Sequence, residues 1–312
     1  MPSNPSPLGA LPARFRRQRL LIVGCGDVGQ RLALLTPSSV RVMALTSSPD
    51  KRAVLRQLGI TPLWGNLDEP RSLRRLAGLA TRVVHLAPPP AQGFGDPRTQ
   101  ALLRSLTRRS GPQSWVYGST SGVYGDCQGG WVHESQPVTP FTPRAIRRVD
   151  AEMRFRWHGK GPGLRQGTRV SILRIPGIYA LDREGGTPLE RLRKGTPVLQ
   201  AKDDVYTNHI HADDLARACW LALWRGQSQR VYHVSDDSQL KMGDYFDVAA
   251  DVFGLPRPAR VARDTAQDQL PLMLLSFMSE SRRLDNTRMK QELRLRLRYP
   301  TVFEGLQAQT RA

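Results

Sequence analysis

Three glycines near the start of the chain have the spacing of a phosphate-binding turn. The apolar run Leu20-Leu21-Ile22-Val23 leads directly into Gly24, Gly26 and Gly29, a G-x-G-x-x-G pattern followed by a stretch of helical character. The first glycine allows a sharp turn, the second lets the backbone approach a pyrophosphate, and the third lets the helix pack closely on the sheet. The N–H groups of the first helical turn would hold the phosphates. The pattern therefore predicts a dinucleotide site, with an ordinary glycine-rich turn as the alternative.

The end of the second predicted strand, residues 40–45, bears on which dinucleotide is bound. An acidic side chain there would bind the ribose 2′-hydroxyl of NAD, but the strand runs into Thr46-Ser47-Ser48 instead. Small hydroxyl residues followed by Lys51-Arg52 suit a 2′-phosphate, which favours NADP over NAD. Asp50 lies close by, and a plain helix cap formed by Ser48 or Asp50 is compatible with either cofactor.

Alternating strands and helices must place these residues at one edge of a sheet. Apolar and β-branched runs predict strands at residues 20–23, 40–45, 60–64, 82–87, 114–117 and 230–234. Periodic apolar residues and breaker residues predict helices at residues 98–109, 188–193, 215–224, 242–253, 271–278 and 287–293. Asp213-Asp214 is expected to cap the helix at 215–224. This alternation predicts an α/β fold of the Rossmann type, a doubly wound parallel sheet.

Composition excludes several classes of protein. The three cysteines are widely spaced and form no C-x-x-C pair, which is typical of neither a disulfide framework nor a zinc site and fits a reducing cytoplasm. No apolar run has membrane-spanning length, so a soluble protein without a membrane partner is expected. Residues 1–18 are rich in Pro, Ser and Arg, which excludes a secretory signal and predicts a disordered basic lead-in.

The chain of 312 residues carries a formal net charge of +19, supplied mostly by arginine. An anionic partner must therefore be considered. The arginines are scattered over nearly all predicted helices, and no zinc-finger, basic-zipper or aromatic RNA-binding motif occurs. We therefore expect a solvated basic surface and no nucleic-acid partner.

Several motifs occur in the order and spacing of one known family. They are Gly65-Asn66-Leu67, His85-Leu86-Ala87, Ser119-Thr120-Ser121-Gly122-Val123-Tyr124-Gly125, Leu173-Arg174-Ile175-Pro176-Gly177-Ile178-Tyr179, Asn208-His209-Ile210-His211-Ala212-Asp213-Asp214-Leu215 and Val231-Tyr232-His233-Val234. With these motifs the chain resembles an extended short-chain dehydrogenase/reductase of the NAD-dependent epimerase/dehydratase type. The resemblance implies an NAD(P)-binding Rossmann domain at residues 19–180, completed by about 205–235. It also implies a smaller, mostly helical substrate domain formed by residues 181–204 and 236–312.

The resemblance and the glycine pattern together assign a set of residues to the cofactor. These are Gly24, Gly26, Asp27, Val28, Gly29, Ser47, Ser48, Asn66, Leu67, Leu86, Ala87, Pro88, Pro176 and Ile178. The cofactor is expected to be NADP, or else NAD. The family also implies a possible homodimer formed by paired helices.

The sequence departs from the family at the catalytic centre. Family members carry a Tyr-x-x-x-Lys pair, and counting on from Tyr124-Gly125 places Arg144 at the tyrosine and Arg148 at the lysine, while Thr120 matches the family's Ser/Thr. Arginine stays protonated and cannot act as the acid or base. Arg148 could replace the lysine electrostatically and hold the nicotinamide ribose or a phosphate, and Arg144 could bind an anionic substrate group. Alternatively, both are solvated arginines on an arginine-rich helix. The pattern resembles the atypical members of the family, which keep the cofactor fold but lack the standard tyrosine and lysine.

Other residues are candidates for the missing chemistry. Tyr124 is the nearest phenol to Thr120 in sequence, although this Tyr-Gly pair is chiefly structural in the family. Asn208 and His209 fall where the family lines the far wall of the substrate pocket, and a histidine there can either donate a proton or only anchor a loop through hydrogen bonds. Family members often bind a substrate diphosphate with an arginine of the small domain, a role open to Arg282 or Arg283, which could instead pair with carboxylates in a capping loop.

Two functions follow from these residues. The first is an NAD(P)-dependent oxidoreductase or epimerase/dehydratase-like enzyme acting on an anionic, sugar-nucleotide-like or phosphorylated substrate. In it, Thr120 and Arg148 position the reacting groups and no proton donor is assigned. The second is a non-catalytic NAD(P)-binding sensor or scaffold, which the loss of the tyrosine and lysine favours.

Overall fold

Seven parallel strands form the central sheet of the computed structural model, which describes residues 17–160, 168–269, 275 and 278–308. The strands of the described residues are β1 (Arg19–Val23), β2 (Arg41–Thr46), β3 (Thr61–Trp64), β4 (Arg82–His85), β5 (Ser114–Thr120), β6 (Trp131–Val132), β7 (Arg169–Ile175), β8 (Gly177–Tyr179), β9 (Val198–Leu199), β10 (Tyr206–Thr207), β11 (His209–His211), β12 (Arg230–His233), β13 (Leu240–Lys241), β14 (Arg260–Val261) and β15 (Arg283–Leu284). The helices are α1 (Asp27–Leu35), α2 (Lys51–Gln57), α3 (Pro97–Leu106), α4 (Pro143–Lys160), α5 (Leu189–Arg193), α6 (Ala212–Arg225), α7 (Met242–Phe253), α8 (Arg263–Gln269), α9 (Thr287–Glu292) and α10 (Val302–Gln307), with 3₁₀ helices at Pro70–Leu76 and Ser121–Tyr124.

The large sheet has the strand order β12-β7-β5-β4-β1-β2-β3, and each neighbouring pair is parallel. The direction of strand addition reverses between β1 and β4, and a crevice opens at the carboxyl edge of such a reversal. This arrangement confirms the doubly wound Rossmann-type sheet that the sequence predicts.

The apolar run of β1 explains why the sheet is covered on both faces. Leu20 and Ile22 pack with α1 and α6 on one side, and Leu21 and Val23 pack with α3 and α4 on the other. All four side chains are essentially inaccessible to solvent. A parallel strand buried on both faces reads as a continuous hydrophobic run, which is the signal that the sequence carries.

The strand boundaries differ from the prediction mainly at β5. The expected strand ended at Tyr117, whereas β5 continues through Gly118 to Thr120. A side chain at Gly118 would meet Leu86 Cδ2 at 2.8 Å, so this glycine allows β5 to lie close to the segment after β4. The longer strand carries Thr120 to the crevice edge. The expected helix at 271–278 falls largely outside the described residues, as does most of the 1–18 lead-in.

A second apolar core lies under the last third of the chain. It joins α5, α7, α10 and β9 through buried residues that include Leu192, Val198, Phe246 and Leu306. The segment 236–312 also contributes to the first core, because Met289, Leu293 and Leu295 pack in the cluster that contains Ile22. The part assigned to a substrate domain therefore supports the large sheet as well.

Helix α6 begins differently from the prediction. Its N-cap is His211, whose Nδ1 accepts a hydrogen bond from the Asp213 backbone N–H at 3.2 Å. Asp214 lies inside the first turn, where its buried carboxylate accepts hydrogen bonds from the backbone N–H groups of Arg298 and Tyr299. Asp214 thus fastens the C-terminal segment to the helix, and Asp213 forms an ion pair of 2.6 Å with Arg31, so neither residue is the N-cap. In the part of the chain that the structure describes, none of the helices is both long and apolar enough to cross a membrane.

Candidate functional site

A cleft of about 430 Å³ lies at the carboxyl edge of the sheet, where β1, β2, β3 and β4 end. Its lining includes many of the residues predicted to bind the cofactor: Gly24, Gly26, Ser47, Ser48, Asn66, Leu67, Leu86, Ala87 and Pro88. Open α/β sheets bind ligands in this place, at the point where strand order reverses. The structure thus brings together residues that are up to 64 positions apart in sequence.

The glycine turn forms the floor of the cleft. Gly24 has a φ of +86°, and a Cβ there would lie 2.3 Å from the Ala87 backbone nitrogen, so a side chain is excluded sterically. A Cβ on Gly26 would meet nothing within 4 Å. A Cβ on Gly29 would crowd Ile22 Cγ2 at 3.1 Å, because α1 packs closely on β1 there. Gly26 is therefore the glycine that keeps space open in front of the helix, as phosphate binding requires.

Several predicted cofactor residues do not line the cleft. Val28 and Gly29 are buried between α1 and the sheet. The Asp27 carboxylate forms ion pairs with Arg31 at 2.9 Å and Arg183 at 2.8 Å, so its side chain serves the packing of α1. Pro176 and Ile178 are half-buried at the junction of β7 and β8 and lie outside this lining. A direct contact of these side chains with a cofactor stays a prediction.

The wall after β2 is polar. Thr46 Oγ1 accepts a hydrogen bond from the Ser48 N–H at 3.2 Å, and Lys51 lines the cleft beside the two serines. Asp50 occupies the N-cap position of α2, but its side chain makes no capping hydrogen bond. The structure therefore agrees with the predicted position of the cap but shows no hydrogen bond from its side chain.

Two further groups of the cleft have fixed protonation states. Arg98 pairs with Asp68 in a bidentate ion pair of 2.5 and 2.7 Å, which lowers the pKa of the Asp68 carboxyl. Burial raises the pKa of the Cys25 thiol to about 11, against a smaller opposing effect of Lys51. The thiol is therefore protonated near neutral pH and is a poor nucleophile.

Arg148 and Thr120 lie at the carboxyl end of β5, next to the cleft. The Arg148 guanidinium donates hydrogen bonds to the Gly118 carbonyl at 2.6 Å and to the Tyr117 hydroxyl at 3.2 Å. Gly118 is packed against Leu86, which lines the cleft. Thr120 Oγ1 accepts a hydrogen bond from the Gly122 N–H at 3.2 Å and so begins the 3₁₀ helix that follows. The structure thus places both residues at the carboxyl end of β5, and their catalytic roles stay a prediction.

The start of α4 carries two more arginines. Arg147 is buried and donates a hydrogen bond to the Gly93 carbonyl at 2.8 Å, in the loop that follows β4. Arg144 is exposed one turn before Arg148. The sequence singled out Arg144 and Arg148 by counting, but gave no reason to include Arg147.

Tyr124 is buried and cannot serve as the missing catalytic phenol. Its hydroxyl accepts a hydrogen bond from Arg174 Nη1 at 2.5 Å and lies 2.6 Å from His233 Nε2. His233 Nδ1 must donate to the Asp285 carbonyl at 2.9 Å, so Nε2 accepts the proton of the phenol. Burial raises the pKa of Tyr124 to about 12 and lowers the pKa of His233 to about 3. The expectation of a catalytic role for Tyr124 is corrected, because both partners occupy its hydroxyl in the interior.

The same interior network anchors α4 on the sheet. Glu152 accepts hydrogen bonds from Arg174 at 2.7 and 3.1 Å and from Ser119 Oγ at 2.6 Å. The Glu152 and Arg174 side chains are only 4 and 3 % exposed. Glu152 lies one turn after Arg148, so this ion pair fixes which face of α4 meets β5.

The substrate residues expected on the far wall are held by the protein itself. The Asn208 side chain donates to the Arg282 carbonyl at 2.9 Å and accepts from the Leu284 N–H at 2.8 Å. His209 is buried with its ring centroid 4.2 Å from that of Tyr245, and burial lowers its pKa to about 4. Both residues therefore hold the small domain in place, in agreement with the anchoring alternative for His209, and their contact with substrate stays a prediction.

The two candidate diphosphate-binding arginines are similarly engaged. Arg282 donates to the Gly125 carbonyl and forms an ion pair of 2.7 Å with Glu280. Arg283 donates to the Gly129 carbonyl at 2.8 Å and lies over the rings of Trp131 and Tyr206, at 5.1 and 4.7 Å from their centroids. The sequence also allowed these arginines to pair with carboxylates in a capping loop. The ion pair between Arg282 and Glu280 agrees with that alternative.

The structure adds Glu280, which the sequence did not single out. Its Oε2 lies 3.9 Å from the point that a Cβ on Gly122 would occupy, and Thr120 Oγ1 lies 3.6 Å from the same point. The Glu280 carboxylate and the Thr120 hydroxyl thus both lie beside Gly122. The sequence held one indication of this role. Glu280 and Arg282 are two positions apart, and this spacing places both side chains on the same face of an extended segment. Among the described residues, no group of three or more His, Cys, Asp or Glu side chains could hold a metal ion.

Comparison with known proteins gives three kinds of result. A model of the NAD dependent epimerase/dehydratase family matches residues 20–235. The solved structure of a functionally unknown conserved protein from Silicibacter pomeroyi DSS is 32% identical, with a TM-score of 0.79 and coverage of 95% of this chain and 99% of that one. None of the curated proteins compared with the chain matches it.

Two more distant structures share the fold. UDP-glucuronic acid 4-epimerase from Bacillus cereus, solved in complex with NAD, is 17% identical, with a TM-score of 0.72 and coverage of 93% of this chain and 95% of that one. UDP-N-acetylglucosamine 4-epimerase from Bacillus cereus is 16% identical, with a TM-score of 0.68 and coverage of 95% and 100%.

Proposed function

Because the chain belongs to the NAD-dependent epimerase/dehydratase family, we propose that it is an NAD(P)-dependent oxidoreductase or epimerase acting on an anionic, sugar-nucleotide-like or phosphorylated substrate. The observation that carries this proposal is the cleft whose floor is the Gly24–Gly26 turn and whose open space lies in front of Gly26. The Bacillus cereus UDP-glucuronic acid 4-epimerase, which shares the fold, was solved with NAD, and this supports a nicotinamide dinucleotide here.

The residues of the cleft would hold such a cofactor in separate parts. The first turn of α1 would bind the pyrophosphate, and the segment after β2 would bind the adenosine ribose. When bound, the nicotinamide supplies hydride transfer. Thr120 would hydrogen-bond the reacting oxygen, and Arg148, fixed by Gly118 and Tyr117, would supply the positive charge that the family's lysine supplies. Glu280, which lies beside Gly122 and pairs with Arg282, is our candidate for exchanging a proton there.

Changing Gly26 to Ala tests the cleft directly. The new methyl group would enter open space, so the free energy of unfolding should change by no more than about 1 kcal/mol. NADPH affinity should fall by about tenfold or more, because the methyl group would occupy the place of the pyrophosphate. Fluorescence titration with NADPH and urea unfolding measure the two quantities. Unchanged NADPH binding in a folded Gly26→Ala protein would reject the site.

The cofactor preference depends on Lys51. We expect NADPH to bind more tightly than NADH, because Lys51 and the hydroxyls of Ser47 and Ser48 suit a 2′-phosphate and no acidic side chain ends β2. Lys51→Gln should weaken NADPH binding by about fivefold to tenfold and leave NADH binding unchanged. Lys194→Gln, which removes an exposed lysine at the end of α5, is the control. Equal affinities for both cofactors, unaffected by Lys51→Gln, would contradict the preference.

The alternative function, a non-catalytic NAD(P)-binding sensor or scaffold, retains the cleft but predicts no turnover. Membership of an enzyme family does not favour it. A screen of nucleotide sugars and phosphorylated sugars that gave no NADPH or NADH signal, with bound cofactor demonstrated, would favour the sensor.

The exposed side chains of Met153 and Trp157, one turn apart on α4, offer an apolar surface for the homodimer implied by the family resemblance.

A further inference from the structure

The first two turns of α4 concentrate positive charge without acidic partners. Arg144, Arg147 and Arg148 lie within five positions, and within the described ranges no carboxylate comes within ion-pair distance of any of them. Two other buried arginines have carboxylate partners, Glu152 for Arg174 and Glu280 for Arg282. Arg82 is also buried without a carboxylate, but it donates to the Leu223 carbonyl and lies over the Trp224 ring, at the opposite end of β4 from the cleft. Arg144, Arg147 and Arg148, called the α4 arginine cluster below, form a group without carboxylate partners next to the cleft.

Burial makes this arrangement costly for the protein alone. Arg147 and Arg148 are each 7 % exposed, and the Nε of each is buried without a hydrogen-bond partner in the described structure. Their other recorded partners are neutral: the carbonyls of Gly93 and Gly118 and the Tyr117 hydroxyl. A desolvated charge without a counter-charge is strongly unfavourable, so an anion bound at this place would stabilise the site.

The electrostatics of Arg144 agree with this. Although the Arg144 side chain is exposed overall, partial desolvation of its guanidinium and then the nearby charges of Arg148 and Arg147 lower its pKa, and the guanidinium remains protonated at any physiological pH. Because the charges of Arg147 and Arg148 lower the pKa of Arg144, the three guanidinium groups are close enough to repel one another. An anion placed among them would remove that repulsion.

The position of the cluster says which part of a substrate it would meet. Arg148 touches the carboxyl end of β5, two residues before Thr120, and Arg147 touches the loop after β4, whose beginning lines the cofactor cleft. On the opposite wall, Arg282 and Arg283 are already engaged by Glu280, by backbone carbonyls and by aromatic rings. Uncompensated positive charge thus lies at the reacting end of the site, not where a remote diphosphate would be held.

We propose that the α4 arginine cluster binds a compact anionic group, a carboxylate or a phosphate, next to the reacting carbon of the substrate. The substrate would then be a small hydroxy or oxo acid or a phosphate ester, not a nucleoside diphosphate sugar. This inference rests on the proposed function and narrows its substrate class.

The test uses the full chain saturated with NADPH and titrated by calorimetry with three probes: malonate, inorganic phosphate and UDP. We expect malonate or phosphate to bind saturably, and whichever binds more tightly identifies the anion as carboxylate or phosphate. Arg144→Gln and Arg147→Gln should each weaken that binding by about 10- to 100-fold, the effect of losing a charge-assisted hydrogen bond. Arg108→Gln, which removes an exposed arginine just after α3, should leave it unchanged.

Three outcomes would overturn the proposal. The first is equal anion affinity in wild type and both variants. The second is no saturable binding of malonate or phosphate. The third is binding of UDP that is tighter than that of either anion and is unchanged by the substitutions in the cluster.

The Arg144 side chain is exposed and makes no hydrogen bond or ion pair in the described structure, so Arg144→Gln keeps the test valid even if Arg147→Gln unfolds. Failure of NADPH to bind would reject the proposed function instead, and the same titrations on the cofactor-free protein would still test the cluster.

Discussion

Replacing Gly24 with alanine is expected to lower the free energy of unfolding by about 3 kcal/mol or more, a large share of the stability of a typical domain. Two effects add at this position. The backbone φ of +86° is disfavoured for any residue with a Cβ, and the new methyl group would lie 2.3 Å from a backbone nitrogen at Ala87 and 2.7 Å from its Cα. Backbone atoms cannot rotate away, so β1 and the segment after β4 would have to separate. Urea unfolding followed by circular dichroism measures the loss.

The matched control is Gly26→Ala, two residues along the same turn. It adds the same methyl group at a φ of −86° and into open space, so it should remain folded. The pair separates the two requirements of the turn, since one glycine is needed to fold and the other to bind. If Gly24→Ala unfolded at the same urea concentration as Gly26→Ala, the close approach of β1 to Ala87 would be contradicted.

Changing Glu152 to glutamine is expected to cost about 3 to 5 kcal/mol of the free energy of unfolding. Glutamine has nearly the same shape, but it leaves the Arg174 guanidinium buried without a counter-charge and alters the partner of Ser119. Breaking one side of a buried ion pair is strongly destabilising because the remaining charge has no water. Equilibrium urea unfolding of wild type and variant gives the difference.

An exposed ion pair of the same chemistry provides the control. Asp251 and Arg257 lie 2.7 Å apart at the end of α7, with side chains 51 and 62 % exposed. Asp251→Asn should cause no measurable change, because water and salt screen such pairs. A Glu152→Gln protein as stable as the Asp251→Asn protein would show that Arg174 is not held by its carboxylate.

The glycine turn, the sheet and most of the cleft lining were predictable because their signals are local. Apolar runs mark buried strands, and the ends of parallel strands meet at one edge, so residues as far apart as Gly24 and Pro88 could be assigned to one site before their contacts were seen. Counting along the family motif also brought Arg148 to the end of β5. The boundary of β5 was missed because Gly118 reads as a strand terminator, whereas here it permits close packing against Leu86.

The far wall was predicted poorly because its partners come from distant parts of the chain. Nothing near Arg283 in sequence indicates that Trp131 and Tyr206 will stack on it, and nothing near Tyr124 indicates His233. A polar side chain beside a presumed pocket can equally well hold two segments together, and only the fold distinguishes the two. Arg147 was missed for the opposite reason, since in an arginine-rich helix its burial cannot be read from sequence.

The hydrogen bond between Tyr124 and His233 has a consequence for synthesis of the chain on the ribosome. The two residues are 109 positions apart, and translation of that length takes on the order of 10 s. During this interval the nascent chain contains β5 and Tyr124 but not the edge strand β12, which carries His233. Strand β7 then presents an unpaired edge. The nascent protein is therefore expected to need protection from aggregation until residue 233 has left the exit tunnel, and a chain stopped before β12 should be a chaperone substrate.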